Sequence, residues 1–331
     1  MSPDQPSKRK TAPGAAAEPS SVTAPRVPVP PAHLRFLVAG TTDEPWFVEG
    51  GRLGLLCLEE LLAKNGVSLR SLDGVLDFGC GCGRVLRYWQ ETGAEGLRGC
   101  DYNPDLIGWC QENINFAQTF VNKFSPPLDL PDASLDLAYA FSVFTHLDEA
   151  MQFAWMREMG RVLRPNGLLV VTTHGASYLN ELSAYEQGLF SGGMLVVRYS
   201  EDAGTNTCGA FHPVPFLRNV QAPAGGFAVE DFIPQGAKGN PHQDIYLLRR
   251  LTLAEGCDHF RAAGRLFSDW FVEVRRRLPG TAGFGCRSSP HENEAAQVNR
   301  SLYHQQQNPD AVRGSALWRV GQAIRGFLGR H

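Results

Sequence analysis

The chain alternates short apolar runs with amphipathic segments from Gly74 to Gly175, and this alternation constrains the fold more than any other feature. The apolar runs are typical of buried strands, and their sequences are GVLDFG, GLRGCD, FAQTFVN, LDLAYAF and LLVVTTHG. Strands that alternate with helices form right-handed βαβ units. The sequence therefore predicts an α/β fold, a doubly wound parallel sheet whose ligand-binding loops lie at the carboxyl ends of its strands.

Caps and stops locate the helices between these strands. RVLRYWQETG is predicted to be the helix after the first strand. PDLIGWCQENI, with Pro104 in its first turn, is predicted to be the helix after the second strand. Asp148 is the expected N-cap of DEAMQFAWMREMGRV, a helix that Pro165-Asn166-Gly167 should end. Upstream, RLGLLCLEELLAKNG has helical spacing and stops at Asn65-Gly66.

Composition sets the boundaries outside this unit. Residues 1–31 are rich in Pro, Ala and Ser, and their few large apolar side chains predict a disordered segment. In the next segment, Thr41-Thr42-Asp43 and Gly50-Gly51 break the helical period. An N-terminal cap with a helix is expected at 32–72, followed by a domain at 73–250 that contains an insertion at 176–225 and ends in two strands. The expected segments after this domain are a helix at 251–279, a polar linker at 280–312 and a basic amphipathic helix at 313–331.

The last of these segments, 313–331, has apolar side chains on one side and arginines on another. Docking on the chain's own domain or on a partner explains this pattern, and so does peripheral contact with a membrane surface. The amphipathic pattern alone leaves both interpretations open.

Charge and cysteine content exclude several classes of function. The 331 residues carry a formal net charge of −3, which does not favour a nucleic-acid partner. No run of about 18 apolar residues predicts a transmembrane helix, and the N-terminus lacks the apolar core of a secretory signal. The eight cysteines form no repeated pairs, which favours reduced thiols and a cytoplasmic protein.

The stretch LDFGCGCGR stands at the turn from the first strand into the first helix. Its glycines alternate as Asp77-x-Gly79-x-Gly81-x-Gly83, which lets a backbone pass close beneath a ligand. The dinucleotide pattern G-x-G-x-x-G needs a third glycine where Arg84 stands, and the chain has no triphosphate-binding loop. Cysteine is small enough for such a loop, whereas a metal site would more often use C-x₂₋₄-C pairs than C-x-C.

Two acidic residues narrow the ligand further. Asp101 ends the second strand, where a carboxylate can accept both hydroxyls of a ribose, although it could instead cap the next helix. Asp77 would repel a pyrophosphate but suits a cationic ammonium group. Together with Arg84, it disfavours an NAD-dependent oxidoreductase.

S-adenosylmethionine meets these demands, and four longer stretches carry a resemblance to a known family. VLDFGCGCGRVLRYW, GCDYNPDLIGWCQENI, LPDASLDLAYAFSVFTHL and MREMGRVLRPNGLLVVTTHG resemble, in order and spacing, the motifs of class I S-adenosylmethionine-dependent methyltransferases. The resemblance covers roughly residues 70–175, and residues 226–250 resemble the last two strands of that fold. It implies a Rossmann-like seven-stranded sheet and methyl transfer. A small-molecule acceptor is expected, because the sequence after the fourth strand is AFSVF and not an N-P-P-Y-like motif, and we expect oxygen as the acceptor atom before nitrogen or carbon.

The resemblance also implies roles for single residues. The methionine end of the cofactor would lie on the glycine loop, whose residues are Asp77, Gly79, Cys80, Gly81 and Gly83. Asp101 would bind the ribose and Tyr102 would lie against the adenine, while Phe141 and Ser142 would line the floor near the sulfonium. Asn122 stands where many relatives have an acidic residue, and its carbonyl would contact the adenine amine.

Methyl transfer to oxygen or nitrogen also requires removal of a proton, and three histidines are candidates for this base. His146 follows the fourth strand at the ligand edge and is the first choice, although a histidine here can be structural. His174 ends the fifth strand, and His212 lies in the insertion. Two further questions stay open. Residues 40–51 could form a lid over the site, or their Trp46 and Phe47 could simply pack against the sheet. The protein could also be a non-catalytic cofactor-binding scaffold instead of an enzyme.

Overall fold

A nine-stranded sheet with helices on both faces forms the centre of the protein in a computed structural model that describes residues 27–240, 242–252 and 255. The strands are β1 (Asp73–Phe78), β2 (Glu95–Asp101), β3 (Gln118–Val121), β4 (Leu135–Ala140), β5 (Leu163–His174), β6 (Val196–Arg198), β7 (Gly209–Phe211), β8 (Phe227–Ile233) and β9 (Gln243–Arg250).

The strand order confirms the doubly wound α/β fold. Strands β3, β2, β1, β4 and β5 lie side by side and parallel, and β9 and β8 complete this edge as antiparallel strands. The sheet has two strands more than expected, because the insertion supplies the β6–β7 hairpin, in which Phe211 pairs with His174 at the end of β5. The order reverses between β1 and β4, so the loops after these two strands border the crevice where such folds bind ligands.

The longer helices are α1 (Ala32–Ala39), α2 (Glu44–Lys64), α3 (Pro104–Asn113), α4 (Glu149–Val162) and α5 (Ala184–Ser191). A further helical segment runs from Val214 to Ala224 and contains a π-helical turn at Leu217–Gln221. The helix expected after β1 is a 3₁₀ segment instead, at Leu86–Glu91. Its turns close after three residues, as in the hydrogen bond from the Thr92 N–H to the Trp89 carbonyl.

Successive strand residues supply the two faces of the core. On β4, Leu137 and Tyr139 pack with α2, whereas Ala138 and Ala140 pack with α4. Asp148 caps α4 as expected, since its carboxylate accepts the Met151 N–H at 2.8 Å. Both faces of the parallel strands are therefore buried, which explains their continuous apolar sequences.

The expectation that Gly50-Gly51 interrupts the N-terminal helix is wrong. Asp43 caps α2, which runs through both glycines to Lys64. A Cβ at Gly51 would lie 1.9 Å from the Arg84 carbonyl oxygen, so the glycines permit close packing of α2 on the glycine loop. Phe47 is fully buried beside Leu34, which makes it a packing residue.

The fold also begins earlier than residue 32. Val27 is buried in the core, and the Pro28 carbonyl accepts a hydrogen bond from Arg87, so the end of the segment expected to be disordered belongs to the fold. Residues 1–26 lie outside the described residues, as do the linker at 280–312, the amphipathic helix at 313–331 and most of the helix expected at 251–279. Within the described residues, no helix is both long and apolar enough to span a membrane.

The insertion folds as a small unit on the ligand edge. A turn at Ala176–Glu181, α5 and the β6–β7 hairpin enclose an apolar cluster, and the Ser183–Glu186 capping box begins α5. Glu186 also forms an ion pair with Arg198, which ties α5 to β6. The residues of the loop between β6 and β7 then reach back over the ends of β2 and β4.

Candidate active site

Three glycines shape the loop after β1. Gly79, Gly81 and Gly83 have φ angles of +75°, +55° and +74°, a region that favours glycine. The N–H groups of Gly79 and Cys80 both donate to the Cys100 carbonyl, which fixes the loop to the end of β2. Val38 of α1 lies above Gly81, where a Cβ would come within 2.5 Å of its methyl group. The loop, which we call the glycine cradle, is therefore packed directly against α1.

Asp101 joins this cradle to the end of β2. Its carboxylate accepts hydrogen bonds from the Gly81 N–H at 3.0 Å and from the Asn103 N–H at 2.9 Å. Burial raises its pKa, which these backbone donors partly oppose. The N-cap of α3 is Asn103, so helix capping does not explain the position of Asp101.

Asp77 lies beneath the loop and is only 4% exposed. Burial raises its pKa to about 7, while the Tyr139 hydroxyl and the Arg84 guanidinium act in the opposite direction. Arg84 itself donates to the Gly239 carbonyl and to the side chain of Asn240. A cation bound near this carboxyl group would favour its ionised form.

The adenine side expected from the sequence contains two exposed aromatic rings and one orphaned oxygen. Tyr102 and Phe124 are 42% and 40% exposed, and their ring centroids lie 5.9 Å apart. The side-chain amide of Asn122 donates to the Lys123 carbonyl. Its Oδ1 is buried and accepts no hydrogen bond from any described residue. An adenine amine is the kind of donor that this oxygen lacks.

These residues fit S-adenosylmethionine. A Cβ at any of the three glycines would come within 2.5 Å of a neighbouring side chain, so the loop keeps this path only with glycine. Asp101 would supply a carboxylate for a ribose, and the aromatic pair with Asn122 would suit an adenine. The loop from Tyr199 to Cys208 covers this region, because the Tyr102 hydroxyl donates to the Gly204 carbonyl at 2.7 Å.

The cysteines of the loop are buried packing residues. The thiols of Cys80 and Cys110 both donate to the Gly81 carbonyl, and Cys82 is fully buried near Leu34. Burial raises the pKa of Cys82 to about 12. No group of three or more potential metal ligands occurs in the described part of the chain.

The structure brings His146 and His174 together, with ring centroids 6.4 Å apart. His146 Nδ1 lies 2.8 Å from the Cys208 carbonyl, and the Gly204 N–H donates to the His146 carbonyl. Because a carbonyl oxygen only accepts, Nδ1 carries the proton and the Nε2 of the neutral ring keeps its lone pair. Burial lowers the pKa of His146.

His174 and His212 have more buried surroundings. His174 packs against Tyr178, with ring centroids 4.2 Å apart, and its pKa falls to about 4 through burial and the nearby His146. His212 has no exposed surface, and its Nε2 lies 2.6 Å from the side-chain oxygen of Gln152. Burial lowers the pKa of His212 to about 3. Its ring therefore does not reach the surface where the other two histidines meet.

A polar cluster at the ends of β4, β5 and β9 was not predicted from the sequence. Ser142 has a φ of +60°, and its N–H donates to the Thr172 hydroxyl. Gln243, the first residue of β9, donates to the Ser142 hydroxyl at 2.8 Å. The sequence signal that could have revealed this cluster is Gln243 itself, a polar residue at the start of the last strand and at the ligand edge. The contacts of the loop that contains Gly204 left no comparable pattern in the sequence.

Comparisons with known proteins agree with this geometry. Residues 76–171 match a family model described as a methyltransferase domain. A malonyl-[acyl-carrier protein] O-methyltransferase of Pseudescherichia vulneris is 34% identical over 122 residues, which cover 37% of this chain and 46% of that protein. A probable S-adenosylmethionine-dependent methyltransferase of Mycobacterium tuberculosis is 34% identical over 125 residues, with 34% of this chain and 43% of that protein covered.

Among solved structures, an S-adenosylmethionine-dependent methyltransferase from Mesorhizobium loti is similar, with 19% identity and a TM-score of 0.43 over 54% of this chain and 91% of that one. The chain spans about half the length of the curated relatives it matches. The family match, the motifs and the strand order support a class I S-adenosylmethionine-dependent methyltransferase domain, whose matched core is residues 76–171.

Proposed function

We propose that this protein transfers a methyl group from S-adenosylmethionine to an oxygen atom of a small-molecule acceptor, with His146 as the general base. The observation that carries the proposal is the hydrogen bond from His146 Nδ1 to the Cys208 carbonyl. This bond leaves Nε2 with a lone pair, and no described residue donates a hydrogen bond to it.

The cofactor would be held by residues already on one edge of the sheet. The glycine loop and Asp77 would bind its methionine end, Asp101 its ribose, and Tyr102 with Asn122 its adenine. Phe141 and Ser142, directly after β4, would lie near the sulfonium. When bound, S-adenosylmethionine supplies an electrophilic methyl group, so the protein has to align the acceptor and remove one proton.

His146 would perform the second task. Its Nε2 would take the proton of the acceptor hydroxyl as that oxygen receives the methyl group, which leaves the sulfur of the cofactor neutral. Since burial lowers the pKa of His146, the ring is neutral at pH 7 and is ready to accept this proton. The Cys208 carbonyl then stabilises the imidazolium that forms.

The names of several relatives favour a second acceptor, a carboxylate of an acyl group borne by a carrier protein. A carboxylate is ionised at pH 7 and would not need His146 as a base. The two acceptors therefore differ in how strongly turnover depends on His146.

The test is a screen with methyl-labelled S-adenosylmethionine against hydroxylated small molecules and malonyl thioesters of a carrier protein. We expect label on a hydroxyl oxygen, with loss of turnover in His146→Gln. Label on the malonyl carboxylate, with turnover kept in His146→Gln, would contradict the proposal. Binding of the cofactor without transfer to any acceptor would favour a regulatory or scaffold protein.

A further inference from the structure

We propose that Gln243 is a positioning residue that fixes His174 as a neutral imidazole with its proton on Nδ1, so that proton uptake in the site falls to His146. The consequence for catalysis rests on the proposed function, whereas the protonation pattern rests on the hydrogen bonds around Gln243. Gln243 is 5% exposed and connects the ends of β4, β5 and β9.

One end of the Gln243 amide is oriented by Thr172. The Ser142 N–H donates to the Thr172 hydroxyl at 2.8 Å, so this oxygen is an acceptor there. The hydroxyl proton of Thr172 is then donated to Gln243 Oε1 at 2.7 Å. With the amide reversed, the fully buried Thr172 hydroxyl would lose the acceptor of its proton, which is costly.

The other end of the amide has two hydrogens and two acceptors. Gln243 Nε2 donates to Ser142 Oγ at 2.8 Å and lies 3.4 Å from His174 Nε2. Ser142 has no spare proton to reverse this bond, because its hydroxyl donates to Thr145, whose own proton goes to the Ser142 carbonyl. In this arrangement the two hydrogens of the Gln243 amide face Ser142 Oγ and His174 Nε2 as acceptors. His174 Nδ1, which then carries the ring proton, is buried without a hydrogen-bond partner among the described residues.

The surroundings of His174 explain why this protonation pattern matters. The ring faces His146, Tyr178 and Phe211, with His212 next to Phe211 in the chain. Two acidic groups, Glu181 and Asp244, act on the neighbouring Tyr178. Asp244 of β9 accepts the Gln235 N–H through its Oδ1, and its carboxyl group lies against Gly175. None of these contacts is an ion pair with His174 in the described part of the chain.

A protonated His174 would put a positive charge beside His146 and near the residues proposed to face the sulfonium. That charge would lower the basicity of His146 and disfavour a cationic cofactor. The amide N–H of Gln243 opposes this state, since it points at the atom that would have to take the proton. Burial of the ring acts in the same direction.

The first test is the tautomer of His174 in the wild-type protein, read from side-chain ¹⁵N NMR at pH 7 with the signal assigned through His174→Phe. We expect a neutral ring protonated on Nδ1. Protonation on Nε2 would overturn the proposal. This measurement needs neither turnover nor a variant at position 243, so it stands even if those variants fail to fold.

The second test is Gln243→Glu, which keeps the shape of the side chain and replaces the donor by an anion. We expect the titration midpoint of His174 to move upward from about 4, with the proton shifting to Nε2. At pH 7, kcat on an identified acceptor should fall about tenfold or more, since a proton on His174 lowers the basicity of the neighbouring His146.

Gln187→Glu is the matched control, because Gln187 also donates two hydrogen bonds, to the carbonyls of Leu179 and Leu182, but does not contact His174. It should leave the His174 midpoint unchanged. An unchanged midpoint in Gln243→Glu as well would overturn the proposal. If the tautomer and midpoint behave as expected but no acceptor is methylated, the proposed function fails while the role of Gln243 in holding His174 stands.

Discussion

Gly81 combines a left-handed backbone with a close neighbour. Its φ is +55°, and a Cβ there would lie 2.5 Å from a methyl group of Val38. The cysteines on either side are buried and contribute packing and weak hydrogen bonds to the loop. The glycines and Asp101, more than the thiols, therefore define what the loop can hold.

Gly81→Ala should weaken S-adenosylmethionine binding by more than about tenfold, because the new Cβ would clash with Val38 and displace the loop, and an L-residue in this conformation costs about 1 kcal/mol. Gly226→Ala is the control, since Gly226 has a φ of +79° but no atom within 4 Å of its Cβ position. It should reduce stability without changing affinity.

The double variant Cys80→Ala, Cys82→Ala should still bind the cofactor, and loss of binding there would show that the thiols contribute directly. Calorimetric titration measures all three.

If His146 is the general base, the pH profile of kcat/KM should have an acidic limb, a fall at acidic pH where the ring becomes protonated. Burial lowers its pKa below the usual 6.5, and the base works in its neutral form, so kcat/KM should be constant above pH 6.5 and fall only at lower pH. His146→Gln should lower kcat by about 10² to 10⁴ and remove this limb. A pH–rate profile on the identified acceptor checks both, and an unchanged limb in the variant would assign it to another group.

At the scale of elements, α2 shows how tertiary contacts decide a helix that the local sequence obscures. Gly50 and Gly51 lower helix propensity, yet both are buried where α2 crosses the glycine loop and the segment before β9. A side chain at Gly51 would meet the backbone of Arg84, which cannot move without distorting the cradle. Thus α2 supports the binding loop directly.

Gly51→Ala should lower the free energy of unfolding by about 2 to 3 kcal/mol, because the methyl group would overlap the Arg84 carbonyl. The same change at Gly108 of α3 should instead stabilise the protein by about 0.5 to 1 kcal/mol, since open space surrounds that position. Chemical denaturation of both variants gives the comparison. Equal effects would mean that helix propensity, and not packing on the loop, controls α2.

At the scale of the whole molecule, the central β1–β5 unit was predictable because each strand is an apolar run closed by a turn residue. The carboxyl ends of these apolar runs are enough to place Asp101, Phe141 and His174 at one edge of the sheet. The 3₁₀ segment at Leu86–Glu91 and the β6–β7 hairpin were not predictable, since the insertion is organised by contacts distant in the chain. His212 illustrates this limit, because its burial depends on Gln152 of α4.

Buried histidines should make the fold sensitive to acid. The folded-state pKa of His212 is about 3, against 6.5 for an exposed histidine, so the unfolded chain binds a proton there first as the pH falls. Stability should therefore be lost between about pH 6.5 and 3, with His212 contributing about 1 kcal/mol per pH unit. In His212→Gln, the free energy of unfolding should depend less steeply on pH, whereas an identical slope would contradict the burial of a neutral ring.

Calorimetric titration with S-adenosylmethionine tests the cofactor site of the whole molecule most directly. Asp101→Ala removes the carboxylate at the end of β2, and Asp105→Ala is the matched control, since it removes an exposed acidic group of α3 with the same change in net charge. We expect the wild-type protein and the control to bind with a Kd on the order of micromolar, and Asp101→Ala to show no measurable binding. Binding of NAD in place of S-adenosylmethionine, or equal affinity in all three proteins, would contradict this account of the site.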